Sequence, residues 1–268
     1  PLNAIPLGDG KLSTSPQAGY QDSCMVRFRG GGANSMPPWI DVSNATWNLE
    51  SKISVEGAVS WPNAANGFAI QGENRMLATN DLPVDATTGN FPISLSDPAY
   101  QYDKNPNSVQ DQLFTWAVPA MPAAAPEPWC TGLGPIGVAV NGVLIFNALD
   151  DAGRDAGAHE VQDSCNGHPQ MSGVYHYHDL SPCLETSAAS GAGSSTLVGY
   201  ALDGYGIYVE RDAAGNLPTD ADLDACHGRT STVMWDGTPL AIYYYDVTIQ
   251  YPYFIGCFHG TPVAGGGR

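Results

Sequence analysis

Four of the chain's six histidines fall between positions 159 and 178: His159, His168, His176 and His178. The last two stand two apart in Val174-Tyr-His-Tyr-His-Asp179, a run that reads as a strand. Alternation puts both imidazoles on one face, with their Cα atoms about 6.6 Å apart. From that spacing, two rings leaning inward can each place a nitrogen about 2.0–2.1 Å from one ion. Tyr175 and Tyr177 point to the opposite face, where their rings would pack. His168, on the turn segment Asn166-Gly-His-Pro169, is the third expected ligand, with His227 and His159 as further candidates. Glu160 and Asp163 would serve as a general base or as acceptors that fix the imidazole tautomers. The competing reading is a structural hydrogen-bond network. All-imidazole ligation suits copper or zinc, with copper slightly favoured, and a carboxylate donor would shift the choice toward zinc, manganese or iron. Met171 reads as core filling rather than as a thioether ligand. His259, beside Cys257, reads as a surface residue.

A site of this kind needs a rigid frame. The six cysteines are Cys24, Cys130, Cys165, Cys183, Cys226 and Cys257. An even count with no Cys-x-x-Cys pair fits three disulfides in an oxidising compartment. The pairing is not fixed by sequence; proximity along the chain favours Cys165–Cys183 and Cys226–Cys257, leaving Cys24–Cys130. A Cys165–Cys183 staple would clamp both ends of the segment that carries three of the histidines.

The frame is expected to be mainly β: antiparallel sandwich or barrel-like sheets with long loops and few short helices. With 31 Gly, 21 Pro and 13 Tyr against only 10 Lys plus Arg, the composition favours strands and turns. Segments 53–61 and 112–118 alternate as half-buried strands do. Asn141-Gly142 between Ile136–Val140 and Val143–Phe146 signals a hairpin. Strands are also expected over 174–179, 197–202, 206–210 and 240–251. Pro119–Pro128 reads as a connector, 186–196 as a flexible loop, 220–226 as a short helix capped by Asp220, and 264–268 as a disordered tail. The division is an N-terminal β-rich region over 1–128 and a second domain over 129–263, or one structural domain over 1–263. No internal repeat is convincing.

Charge narrows the partners. The 27 acidic residues outnumber the basic ones to give a net charge of −17. Such a field repels nucleic acid and anionic membrane surfaces and attracts cations. No window approaches the roughly 20 apolar residues of a membrane helix, so no membrane insertion is expected. A start at Pro1 suggests a removed signal segment or a trimmed chain, and the cysteine pattern points to a secreted or periplasmic protein. Calcium is a further candidate cofactor at the oxygen-rich stretch Asp212–Asp224, although that stretch lacks EF-hand spacing and a capped turn explains it better. The Trp and Tyr residues would line a glycan surface or, more in keeping with a charge-poor β protein, fill the core.

Six motifs in order, including Asp163-Ser-Cys-Asn-Gly-His-Pro169, Gly173-Val-Tyr-His-Tyr-His178, Leu223-Asp-Ala-Cys-His-Gly-Arg229 and Tyr251-Pro-Tyr-Phe-Ile-Gly-Cys257, resemble the YHYH domain family over about 130–262. The resemblance implies export and importance for His168, His176, His178 and His227, in a family of largely unassigned activity. That family often carries a second Tyr-His pair, where this chain reads Tyr243-Tyr-Tyr-Asp246. The function expected is an exported histidine-cluster metal protein, such as a metal-dependent oxidoreductase acting on an extracellular small molecule. The alternatives are a zinc-dependent hydrolase and a glycan-binding or adhesion module with a structural histidine network.

Overall fold

Two turns of the type Asn/Asp-Gly organise the C-terminal half of the chain. At both Gly142 (φ 91°) and Gly204 (φ 95°) the backbone is left-handed, where a side chain would be strained. In each turn the preceding side chain, Asn141 or Asp203, accepts a hydrogen bond from the backbone N–H two residues on. The computed structural model describes residues 1–28, 30, 31, 33, 36–185 and 191–264. Among them, the largest sheet has eight strands: β1 (Pro135–Ala139), β2 (Leu144–Phe146), β3 (Gly167–Pro169), β4 (Tyr175–Tyr177), β5 (Ser195–Ala201), β6 (Gly206–Glu210), β7 (Gly228–Trp235) and β8 (Thr238–Asp246). Their spatial order is β3-β4-β2-β1-β5-β6-β8-β7. All neighbours are antiparallel except β2/β4 and β6/β8, which are parallel. Among the described residues the fold is mainly β with two one-turn helices, but the sheet is mixed and does not close into a barrel.

The strand order is the same read from either end, and the symmetry extends to individual residues. Gly137 pairs with Ala201, Val138 with Tyr200 and Ala139 with Gly199, so a pseudo-twofold axis passes between Val138 and Tyr200. Val140 N–H donates to the Val198 carbonyl and Leu202 N–H to that of Ile136, both at 2.9 Å. A Cβ on Gly137 would meet the Tyr200 carbonyl oxygen at 2.8 Å; one on Gly199 would meet that of Val138 at 2.9 Å. Hence the sheet contains two copies of one unit, β1–β4 and β5–β8, although the sequence reading found no repeat. Gly137→Val is expected to cost about 2 kcal/mol, because the new side chain would press on backbone that cannot rotate away; urea unfolding measures it.

Two disulfides occupy matching places, Cys165–Cys183 in the first unit and Cys226–Cys257 in the second, and Cys24–Cys130 ties the N-terminal region to them. One apolar core runs from Ile5, Trp39 and Trp47 through Ile136, Val138 and Tyr177 to Tyr245 and Phe258. Smaller sheets lie around it, the largest being the three strands Asn66–Gln71, Asn74–Thr79 and Phe114–Pro119.

Several local expectations change. The stretch read as a connector contains a strand, Ala124–Trp129, paired with Phe258–Gly260; its prolines are tolerable because this is a two-stranded edge. Segment 53–61 holds only Val59–Ser60 and a bridge at Val55, since Gly57 takes the backbone to φ 116°, away from strand geometry. The helix at 220–226 is a single 3-10 turn, Asp220–Asp222, with Thr219 rather than Asp220 as its cap. Ser195 and Thr196 belong to β5 rather than to a loop. Residues 191–194 are turn and irregular backbone, as that reading expects, while 186–190 and the tail at 265–268 lie outside the described residues.

Candidate metal centre

Three features bring the histidines together. In the antiparallel pair β3/β4, His168 stands directly across from His176. His178 follows one residue after β4, on the face that His176 occupies. Below the strand, Tyr175 and Tyr177 are fully buried on the other face. The Tyr175 hydroxyl donates to Asp163, and Asn141 donates to that of Tyr177 at 3.0 Å. Asp81 closes the end of the parallel pair, with one carboxylate oxygen accepting from Leu144 N–H and the other from Tyr175 N–H. No local pattern marked Asp81, because its partners are far away in sequence.

The tautomers of two imidazoles follow from their neighbours. His176 donates from Nδ1 to the Val174 carbonyl at 3.2 Å, and His178 from Nδ1 to the Asn147 carbonyl at 2.5 Å. Each Nε2 is therefore left with a bare lone pair, and the two face one another at 3.0 Å. Glu160 Oε2 lies 3.1 Å from His168 Nε2 and 3.2 Å from His178 Nε2. That oxygen and both His168 nitrogens are buried without a well-aligned hydrogen bond. Donors held at about 2.0–2.1 Å from one ion stand about 2.9–3.4 Å apart, so these spacings match the edges of a coordination shell. Among the described residues, His168, His176 and His178 are the one group of three or more metal-donor side chains that converges, with donor atoms within 4.8 Å.

Glu160 is delivered by the one-turn helix α1 (Ala156–His159), of which it is the C-terminal cap; Asp155 caps the other end by accepting from Ala158 N–H. Burial opposes charge on Glu160, but the charge of His168 overcomes it and holds the carboxyl well below its usual range. Burial likewise opposes charge on His168, and Glu160 outweighs it, so that imidazole is raised. His176 is driven well below the usual range by burial and by the charge of His168. The Phe146 ring stacks on His176 at 4.0 Å between centroids and fixes its plane.

The three histidines and Glu160 line a cleft of about 750 Å³. Phe114, Leu133 and Leu149 form part of its wall, with Asp103, Asp150 and Asp151 among its polar groups. Met171 stands on this cleft and is 89% exposed, not core, because it lies on the turn leading into β4.

The remaining candidates lie elsewhere. Asp163 accepts from Gly89, Cys165 and Gly167 N–H as well as from Tyr175, so its place is in the scaffold beneath β4. His159 is buried against Asp9, with Nε2 at 2.9 Å from a carboxylate oxygen. His227 is buried in the second unit, 3.2 Å from the Thr248 hydroxyl. His259 is half-buried and stacks on Tyr243 at 3.8 Å, rather than standing free on the surface. In the stretch proposed for calcium, Asp212 and Asp222 close local turns: Asp212 accepts from Ala214 and Asn216, and Asp222 from Thr219. Many of the tyrosines, Tyr175, Tyr177, Tyr208, Tyr244, Tyr245, Tyr251 and Tyr253 among them, fill the core rather than a surface.

Comparison with known proteins finds that residues 115–219 match the family model described as YHYH protein. The match covers the histidine cluster and stops before His227 and the motif at 251–257. No curated protein and no solved structure gives a significant match to the chain.

Proposed function

We propose that the YHYH domain of this chain is the metal centre of an exported protein, with His168, His176 and His178 as nitrogen donors and Glu160 as an oxygen donor. The facing Nε2 pair carries the reading. Both Nδ1 atoms are committed to backbone carbonyls, the arrangement that orients metal-bound imidazoles. Two bare lone pairs 3.0 Å apart repel unless a cation lies between them. A carboxylate in the donor set moves the preference away from copper, which an all-imidazole set favours, toward zinc, manganese or iron, with zinc first. Three disulfides support an oxidising compartment; among the described residues, no helix is long and apolar enough to cross a membrane.

The cleft falls in the size range of small-molecule sites. It gives a ligand access to the donor cluster, which favours metal-dependent chemistry on an extracellular small molecule over closed storage. A bound ion would supply a Lewis acid there. The chain's own groups hold the imidazoles in one tautomer, keep Glu160 ionised and present an acidic cleft that favours neutral or cationic ligands.

Tag-free protein analysed by elemental mass spectrometry is expected to hold about one zinc, manganese or iron per chain. The double variant His176→Ala/His178→Ala should lose it while keeping the parent's circular dichroism. Protein that is free of metal and resists reloading would mean that a shared proton, not an ion, joins the two rings, and would sink the proposal.

A further inference from the structure

The second unit of the sheet has its own version of the histidine site. In the first unit His168 pairs across β3/β4 with His176; in the second, Arg229 pairs across β7/β8 with Tyr244. Gly167 opposite Tyr177 is matched by Gly228 opposite Tyr245. Ile145 beside Tyr177 in the parallel pair is matched by Ile207 beside Tyr245. His178 therefore corresponds to Asp246. The supports correspond too. Asp163 and Asp224 each accept from the N–H groups two and four residues on, and from the tyrosine at the start of the Tyr-x-Tyr run. Phe146 touches His176, and Tyr208 touches Tyr244.

What differs is the chemistry of the donors. Three imidazoles in one unit are an arginine, a phenol and a carboxylate in the other. The Arg229 guanidinium lies 2.5 Å from Asp246 and 2.6 Å from Glu210, and the Tyr244 hydroxyl donates to the same Glu210 oxygen. A fixed positive charge thus sits among oxygen ligands at the place equivalent to the imidazole cluster.

We propose that this is a second cation site in which the Arg229 guanidinium stands permanently in place of an ion, the counterpart of the metal centre in the first unit. The inference rests on reading that first cluster as a metal site, but its test is separate. Metal content is compared between the parent and the triple variant Arg229→His/Tyr244→His/Asp246→His after equilibration with zinc and removal of excess. The expected result is a gain of about one zinc per chain in the variant. This holds whether the parent carries one zinc or none, so failure of the first site would be seen independently in the parent. A triple variant with the parent's circular dichroism and no extra zinc overturns the proposal. If that variant does not fold, Arg229→Ala decides. Its melting temperature should fall by several degrees and recover by at least half with millimolar guanidinium ion or zinc. No recovery with either cation overturns the proposal.

Discussion

Asp163→Ala should lower the free energy of unfolding by about 4 kcal/mol, among the largest losses a single substitution causes. The carboxylate is 1% exposed and takes hydrogen bonds from three backbone N–H groups and the Tyr175 hydroxyl. Alanine orphans all four donors in the interior, each at roughly 1–3 kcal/mol before water enters to relieve some of them. Asp224→Ala removes the matching carboxylate of the second unit but leaves fewer donors behind, since Gly89 has no counterpart among its partners. It should cost about 1 kcal/mol less. Urea unfolding with disulfides intact reads both. An Asp163→Ala protein as stable as its parent would restore Asp163 as a candidate base.

The second large effect depends on pH. His227 is 2% exposed, and burial pushes its imidazole down to about 3. The unfolded chain, with an ordinary value near 6.5, binds a proton that the folded chain refuses. The stability contributed by neutral His227 is therefore complete above about pH 6.5 and is lost as pH falls toward 3. Between pH 6.5 and 4.5 the loss is roughly 2.5 kcal/mol. Asparagine is the apt replacement, because the equivalent Asn166 adopts the same left-handed backbone, φ 56° against 71° for His227. Relative to the parent, His227→Asn should gain that amount over the interval, measured by urea unfolding in chelator at both pH values. Asp220, 3.8 Å from Nδ1 and raised by burial to about 6, titrates in both proteins and largely cancels in the difference. Parallel pH profiles would show that the imidazole is protonated in the fold.

The histidine cluster was legible because its members are local: a Tyr-His-Tyr-His strand and a nearby turn decide which faces meet. The Asn-Gly hairpin and the Cys165–Cys183 and Cys226–Cys257 staples were legible for the same reason, whereas Cys24–Cys130, 106 residues apart, followed only as the remaining pair. Glu160 was found by proximity, but its contact with two imidazoles depends on the one-turn helix that precedes it, for which four residues carry almost no periodic signal. Asp81 and His159 find their partners across long sequence separations, which no spacing rule reaches. The repeat escaped because the residues that catch the eye are those that changed: His168 against Arg229, His176 against Tyr244, His178 against Asp246. What the units share is plain scaffold, Asn141-Gly142 against Asp203-Gly204 and Asp-x-Cys-x-Gly at 163–167 against 224–228.

The axis between Val138 and Tyr200 makes the middle of the sheet a homotypic seam, where the same strand of each unit meets its twin as two subunits of a dimer would. In a dimer encoded once, every substitution appears on both sides, so imidazoles traded for a salt bridge are traded twice. Joining the halves in one polypeptide removes that constraint: one side can keep a cluster of imidazoles while the other settles into a permanent ion pair, and the seam between them need not change.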